Sequence, residues 1–279
     1  MLGTASRVRR WLLIEQPGAW GREALTESHL PGGIATSLGR RAEAAGVRVV
    51  LIRRSAAPTP VHPATAYFVH TGQDHRWAER ITFDDPHELH ELNLSAPASE
   101  APPGIGELVT EPLHLVCTNG RHDPCCADFG RPVHRTLKQA GVDAWECSHI
   151  GGDRFAANVV CLPSGVYFGR VPPEEAVRII NDHDAGLLEL AHYRGRCHLA
   201  PMVQAAEVFA RLEMGERRID QLDLIQSRRD GDRAVVRLAH IDGDVEVEVD
   251  RRRGAPEQLT CGDPTSTPWE HRMVAFRAV

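Results

Sequence analysis

The sequence predicts an α/β protein with two similar units in tandem and a C-terminal α+β extension. Three observations carry this expectation. Two stretches of the chain give the same order of elements, β-α-β-β-β-α. Both pass from helix to second strand through the tripeptide "AGV", at 45–47 and 140–142. Between them lies "LSAPASEAPPGIGELVTEP" (94–112), where Pro, Ala, Ser and Gly dominate, the composition of a linker or long loop. The resulting division is 1–94, a linker at 95–112, then 113–199 and 200–279.

The first unit opens with "RWLLIEQ" (10–16), a short apolar run of buried-strand type, followed by the loop "PGAWG". "IATSLGRRAEAAG" has helical periodicity and ends at Gly46. "VRVVLIRR" (47–54), "TAYFVHTG" and "WAERITFDD" are strands, and "DPHELHELNL" a short helix. The second unit repeats this order. "LHLVC" (113–117) is a strand and "RPVHRTLKQAG" a helix, with Pro132 in its first turn and Gly141 past its end. "VDAWECSH" is a strand, "NVVCLPSGVYFGRV" a hairpin turning at "PSG", and "PEEAVRIINDHDAG" a helix with acidic residues in its first turn. Strand, helix, strand, then hairpin and covering helix is the thioredoxin-like layout. In the extension, "PMVQAAEVFARLEM" is an amphipathic helix, "DRAVVRLAHIDGDVEVEVDRRR" a hairpin about "DGD", and "WEHRMVAFRAV" a closing strand. The basic run 251–253 reads as a solvated turn.

Composition narrows the function. The 279 residues carry a net charge of -6, with 42% hydrophobic and 25% charged residues, ordinary for a soluble globular protein. A negative chain has no general affinity for nucleic acid or anionic membrane. No apolar run approaches the roughly 18 residues of a membrane span, and the N-terminal apolar run is too short for a signal peptide. The expected compartment is the cytoplasm, where seven cysteines read as buried thiols, metal ligands or redox groups.

The chemistry concentrates in "VCTNGRHDPCCADFGRPVH" (116–134), three cysteines in ten residues of a segment whose Gly, Asp, Asn and Pro argue against regular structure. In a thioredoxin-like unit the ends of the first two strands are neighbours. That places Cys117, Cys126, His149 and Asp153 round one pocket. Soft thiolates favour zinc or iron–sulfur centres. Gly151 and Gly152 let the chain turn tightly and approach a bulky inorganic group. Cys125 reads as a bystander and Cys147 as a minor alternative ligand. Arg121 is either a donor to cluster sulfur or solvated. Cys161 reads as a core thiol, Cys197 and Cys261 have no partner motif, and His122, His134 and His183 read as surface residues.

"GTASRVRRWLLIEQPGAWG", "CTNGRHDPCC", "CSHIGGDRFAANVVCLPSGVYFGRV" and "YRGRCHLAPMVQAAE" closely resemble the sucrase/ferredoxin-like proteins, over most of the chain. The resemblance implies a thioredoxin-like [2Fe–2S] ferredoxin, a one-electron carrier between a reductase and an acceptor. It implies Cys117 and Cys126 as the first two ligands and His149 as the third. The fourth position falls on Asp153, with three residues between it and His149. Relatives carry Cys/Cys or His/His at these later positions, so the fourth ligand is open among Asp153, Cys125 and Cys147. The alternatives are a thiol–disulfide protein or a structural zinc site on the same cysteines. Glycoside hydrolysis, which the word sucrase suggests, needs two positioned carboxylates, and no such pair is marked.

Overall fold

The structure is a computed structural model that describes residues 1–54, 63–262 and 264–279. The first unit contains β1 (Arg10–Glu15), α1 (Gly32–Ala45), β2 (Arg48–Arg53), β3 (Ala64–Thr71) and β4 (Arg76–Phe83). Its short final helix is a 3-10 turn, Pro86–His90. Gly46 closes α1 in the left-handed region, with φ 64°. The second unit contains β6 (Leu113–Cys117), α2 (Pro124–Gln139), β7 (Ala144–Cys147), β8 (Val159–Leu162), β9 (Val166–Phe168) and α3 (Pro173–Asp184).

The two units pair their strands alike. In each, the first two strands are parallel, and the third and fourth follow antiparallel. The segment between the units is not only a linker. It carries β5 (Glu107–Leu108), which extends the sheet beside β4. Buried Glu79 takes up the backbone N–H groups of Gly104 and Ile105, at 2.8 and 2.9 Å. The far edge is β10 (Tyr193–Arg196), a strand missing from the sequence reading because "YRGR" has no apolar alternation. The units join edge to edge, β2 antiparallel to β7, with Ile52 opposite Cys147. One ten-stranded sheet results, ordered β10-β9-β8-β6-β7-β2-β1-β3-β4-β5.

Alternation along the strands sorts the core. Trp11, Leu13, Leu113, Leu115, Cys117 and Cys147 belong to a single core shared by both units. Leu12 and Ile14 point the other way, into a core with α1. Val116 and Cys161 do the same into a core with α3. In the extension, α4 (Pro201–Met214) packs on a second sheet of β11 (Asp223–Asp230), β12 (Arg233–Ala239), β13 (Val245–Arg253) and β14 (Trp269–Ala278). β11 is mostly exposed and lacks the half-buried alternation that identifies strands. The basic run 251–253 ends β13 rather than forming a turn, and Arg251 and Arg253 both stack on Trp269. Among the described residues no helix is long and apolar enough to cross a membrane.

The Cys-rich segment departs most from expectation. α2 begins at Pro124, not Arg131, so Cys125 and Cys126 lie in its first turn. Asp123 caps it, its carboxylate accepting the Cys125 N–H at 2.8 Å, and Pro124 occupies the first turn, where a missing N–H costs nothing. Pro132 therefore stands inside the helix. Gly130 lets α2 press on the end of β6, because a Cβ there would collide with the Cys117 carbonyl oxygen. By propensity alone, Gly130→Ala would stabilise a helix by about 1 kcal/mol. The collision reverses the sign, and an expected loss of about 1–3 kcal/mol is measurable by urea unfolding.

Candidate metal centre

Three separate elements deliver the site. Cys117 ends β6, Cys126 sits in the first turn of α2, and His149 follows β7. One ligand atom from each lies within 4.8 Å of the others. Both thiols are 1% exposed. Asp153, also buried, places its Oδ1 3.3 Å from the Cys126 sulfur. His149 Nδ1 lies 3.0 Å from the same carboxylate oxygen, an ion-pair contact rather than an aligned hydrogen bond. The His122 ring stacks on His149 with centroids 3.7 Å apart, and its Nε2 lies 4.0 Å from Asp153. The four residues expected round one pocket thus meet, joined by His122, which was expected only as a surface residue.

The electrostatics favour a thiolate at Cys117 and a thiol at Cys126. A hydrogen bond from Cys126 pulls the Cys117 thiol down to about 5, with help from His149 and against burial. Cys126 moves the opposite way, because it supplies the hydrogen bond to that thiolate and is itself buried. Burial pulls His149 down, but Asp153 and Cys117 outweigh it and raise the ring to about 9. Burial opposes ionisation of Asp153, yet His149 holds it below its usual range. In the metal-free protein, thiolate absorbance is therefore expected to persist on acidification to about pH 5 and to be missing in Cys117→Ser. Stability follows. Cys117, lowered from 9.0, contributes stability that is lost as pH falls through about 5. His149, raised from 6.5, contributes stability that is lost as pH rises through about 9. The two oppose each other between 6.5 and 9, so the net loss lies between about pH 6.5 and 5. Thermal unfolding against pH, beside Cys117→Ser, measures it.

Gly151 and Gly152 do make a tight turn, with φ 97° and 85°. The space beside them is filled by protein, however. A side chain on Gly151 would strike Ser6, and one on Gly152 the Arg194 guanidinium. Fully buried Arg194 donates to Gly151 O at 3.1 Å and to Asn158 Oδ1 at 2.6 Å, fixing the turn that carries His149 and Asp153. Arg194 stands 41 positions beyond Asp153 in the chain, and local spacing could not reveal it. Arg121 is exposed, and among the described residues its side chain makes no hydrogen bond to a cysteine sulfur.

The remaining cysteines separate. Cys147 lies opposite Cys117 on β7, outside the converging set; burial, then the Cys117 charge, keeps its thiol protonated. Cys125 is joined to Cys261, 136 residues away. Asp123 accepts the backbone N–H of both, and Glu257 pairs with Arg154. Cys261 thus has a partner, and the loop between β13 and β14 reaches the site. His134 is buried because α2 packs against both the sheet and α3, and its Nε2 meets Ala144 O at 3.2 Å. His183 is buried too, on the inward stripe Ala176, Ile179, Ile180, His183, whose helical spacing was legible in the sequence.

The family model for sucrase/ferredoxin-like proteins matches residues 1–195. The chain belongs to the sucrase/ferredoxin-like family. The match spans both α/β units and every residue of the converging set. Two curated relatives are both named altered inheritance of mitochondria protein 32. The one from Meyerozyma guilliermondii is 30% identical over 99 residues, 31% of this chain and 35% of its own. The one from Debaryomyces hansenii is 34% identical over 82 residues, 25% of this chain and 30% of its own. This sucrase/ferredoxin-like chain thus spans about a third of the length of the curated relatives it matches. No solved structure matches it. The Cys261 loop lies beyond the family match.

Proposed function

We propose that the protein is a one-electron carrier with a [2Fe–2S] centre held by Cys117, Cys126, His149 and Asp153, in a thioredoxin-like unit. The observation that carries this reading is the convergence of two buried thiols and the His149 ring on one point beside the Asp153 carboxylate, in a chain of this family. The donor set fits the group: a pair of sulfurs, one of them with its thiol pKa drawn well down, lies beside an imidazole and a carboxylate. Bound there, the cluster would supply a one-electron couple.

The chain's own residues set the conditions. The end of β6 and the first turn of α2 bring the two sulfurs within 4.8 Å of each other. Loading displaces protons from Cys126 and from His149, which Asp153 can orient by its 3.0 Å contact. The His149 side chain is 23% exposed, whereas the thiols are sealed. Electron exchange with a redox partner protein would pass on the His149 and His122 side.

Two rivals draw on the same atoms. Thiol–disulfide exchange needs an accessible sulfur, and both thiols here are buried. Zinc has a specific point in its favour, since ligand atoms within 4.8 Å can close round a single ion. The absorption spectrum and iron and sulfide content of anaerobically purified protein separate the readings. Visible charge-transfer bands with equal iron and sulfide support the cluster. A colourless protein with one zinc overturns it.

A further inference from the structure

A second group of metal-binding side chains lies on the opposite face of the same strand. His114 and Cys161 are direct cross-strand partners on β6 and β8. His183, in the last turn of α3, covers them. One ligand atom from each lies within 4.8 Å of the others, and the three residues are 3%, 0% and 5% exposed. Strand alternation turns His114 away from Cys117, so this group is separate from the candidate centre above.

The hydrogen bonding leaves the group incomplete. Asp184 meets both rings, His114 Nε2 at 3.1 Å and His183 Nδ1 at 3.0 Å. An ionised carboxylate only accepts, so each ring turns an N–H to Asp184 and keeps its lone pair on the other nitrogen. For His183 that nitrogen is Nε2, which meets at 2.9 Å a Ser164 hydroxyl that also lies 2.9 Å from the Cys161 carbonyl oxygen, so one hydroxyl proton serves two acceptors. For His114 it is Nδ1, which is buried with no partner at all. A buried acceptor left unpaired is destabilising. A carboxylate fixing the tautomers of two histidines is also the usual outer support of histidine metal ligands.

We propose that His114, Cys161 and His183 form a second metal site, of the zinc class, with Asp184 orienting both imidazoles. The donor chemistry selects the ion. One thiolate and two imidazoles suit a borderline-soft divalent cation. The Cys161 thiolate and Asp184 together balance its two positive charges, which a buried site requires. Ligands at about 2.0–2.3 Å from zinc lie closer together than 4.8 Å, so loading needs an inward contraction, and with three protein donors the fourth position falls to water. Asp184, 40% exposed, marks the side open to solvent. The site would pin α3 to the sheet at the end remote from Cys117.

The test uses cobalt(II) as the probe, in the Cys117→Ser/Cys126→Ser protein, whose first centre is disabled. Visible d–d bands and a near-ultraviolet thiolate-to-cobalt band at one cobalt per chain are expected. Adding Cys161→Ala should abolish the thiolate band, and His183→Gln should weaken cobalt binding at least tenfold. Zinc should raise the thermal midpoint of the double variant and not that of the triple variant, a reading that any folded variant supplies. Absence of the thiolate band in the double variant, or its persistence after Cys161→Ala, would overturn the proposal.

Discussion

Protein carrying Cys117→Ser or Cys126→Ser is expected to be purified anaerobically with at least tenfold less bound iron than wild type, while Cys197→Ser retains it fully. The contrast rests on position. Cys117 and Cys126 converge with His149 on one point. Cys197 is equally buried, yet its S–H is spent on the Thr71 hydroxyl at 3.4 Å. A serine keeps the side-chain shape with a smaller, harder oxygen in place of sulfur, so folding should survive and loading should not. Iron and sulfide assays with far-ultraviolet circular dichroism on the three proteins measure this. Full loading in Cys117→Ser would remove the site assignment.

His149→Cys is expected to keep its cluster and to lower the reduction potential by on the order of a hundred millivolts. A neutral imidazole becomes a thiolate, and the added negative charge opposes electron uptake. Wild type should also show a potential that falls as pH rises, by up to about 59 mV per unit for one proton per electron. Reduction makes the site more negative, so the imidazole binds a proton more tightly in the reduced protein. His149→Cys should lose that slope. Redox titration followed by EPR at several pH values reads both quantities. Equal potentials in the two proteins and a flat wild-type profile would show that His149 is not a ligand.

Local chemistry made much of the molecule readable from the chain. Apolar runs such as "LHLVC" state a buried strand wherever they fold, and Gly46 ends a helix by a conformation that other residues avoid. The common order of the two units was legible for the same reason, since each element's pattern is its own. The start of α2 was also written locally, in Asp123 and Pro124, but the Gly, Asn and Asp around it suggested a loop. β10 and β11 were hidden because an edge strand owes its existence to the strand it pairs with, and "YRGR" pairs through backbone groups that every sequence has.

The site divides along the same line. Donor types and the neighbouring ends of the first two strands grouped Cys117, Cys126, His149 and Asp153, and the fold brings these four together. Only tertiary structure determined that His122 stacks on His149, that Arg194 fills the space beside Gly152, and that Cys261 comes to Cys125. It alone set His114 opposite Cys161 and brought His183 over both. Sequence spacing reports neighbours within one turn or one pleat. Contacts between elements depend on how the sheet orders its strands and which face each helix covers, and those follow from burying all the apolar faces at once.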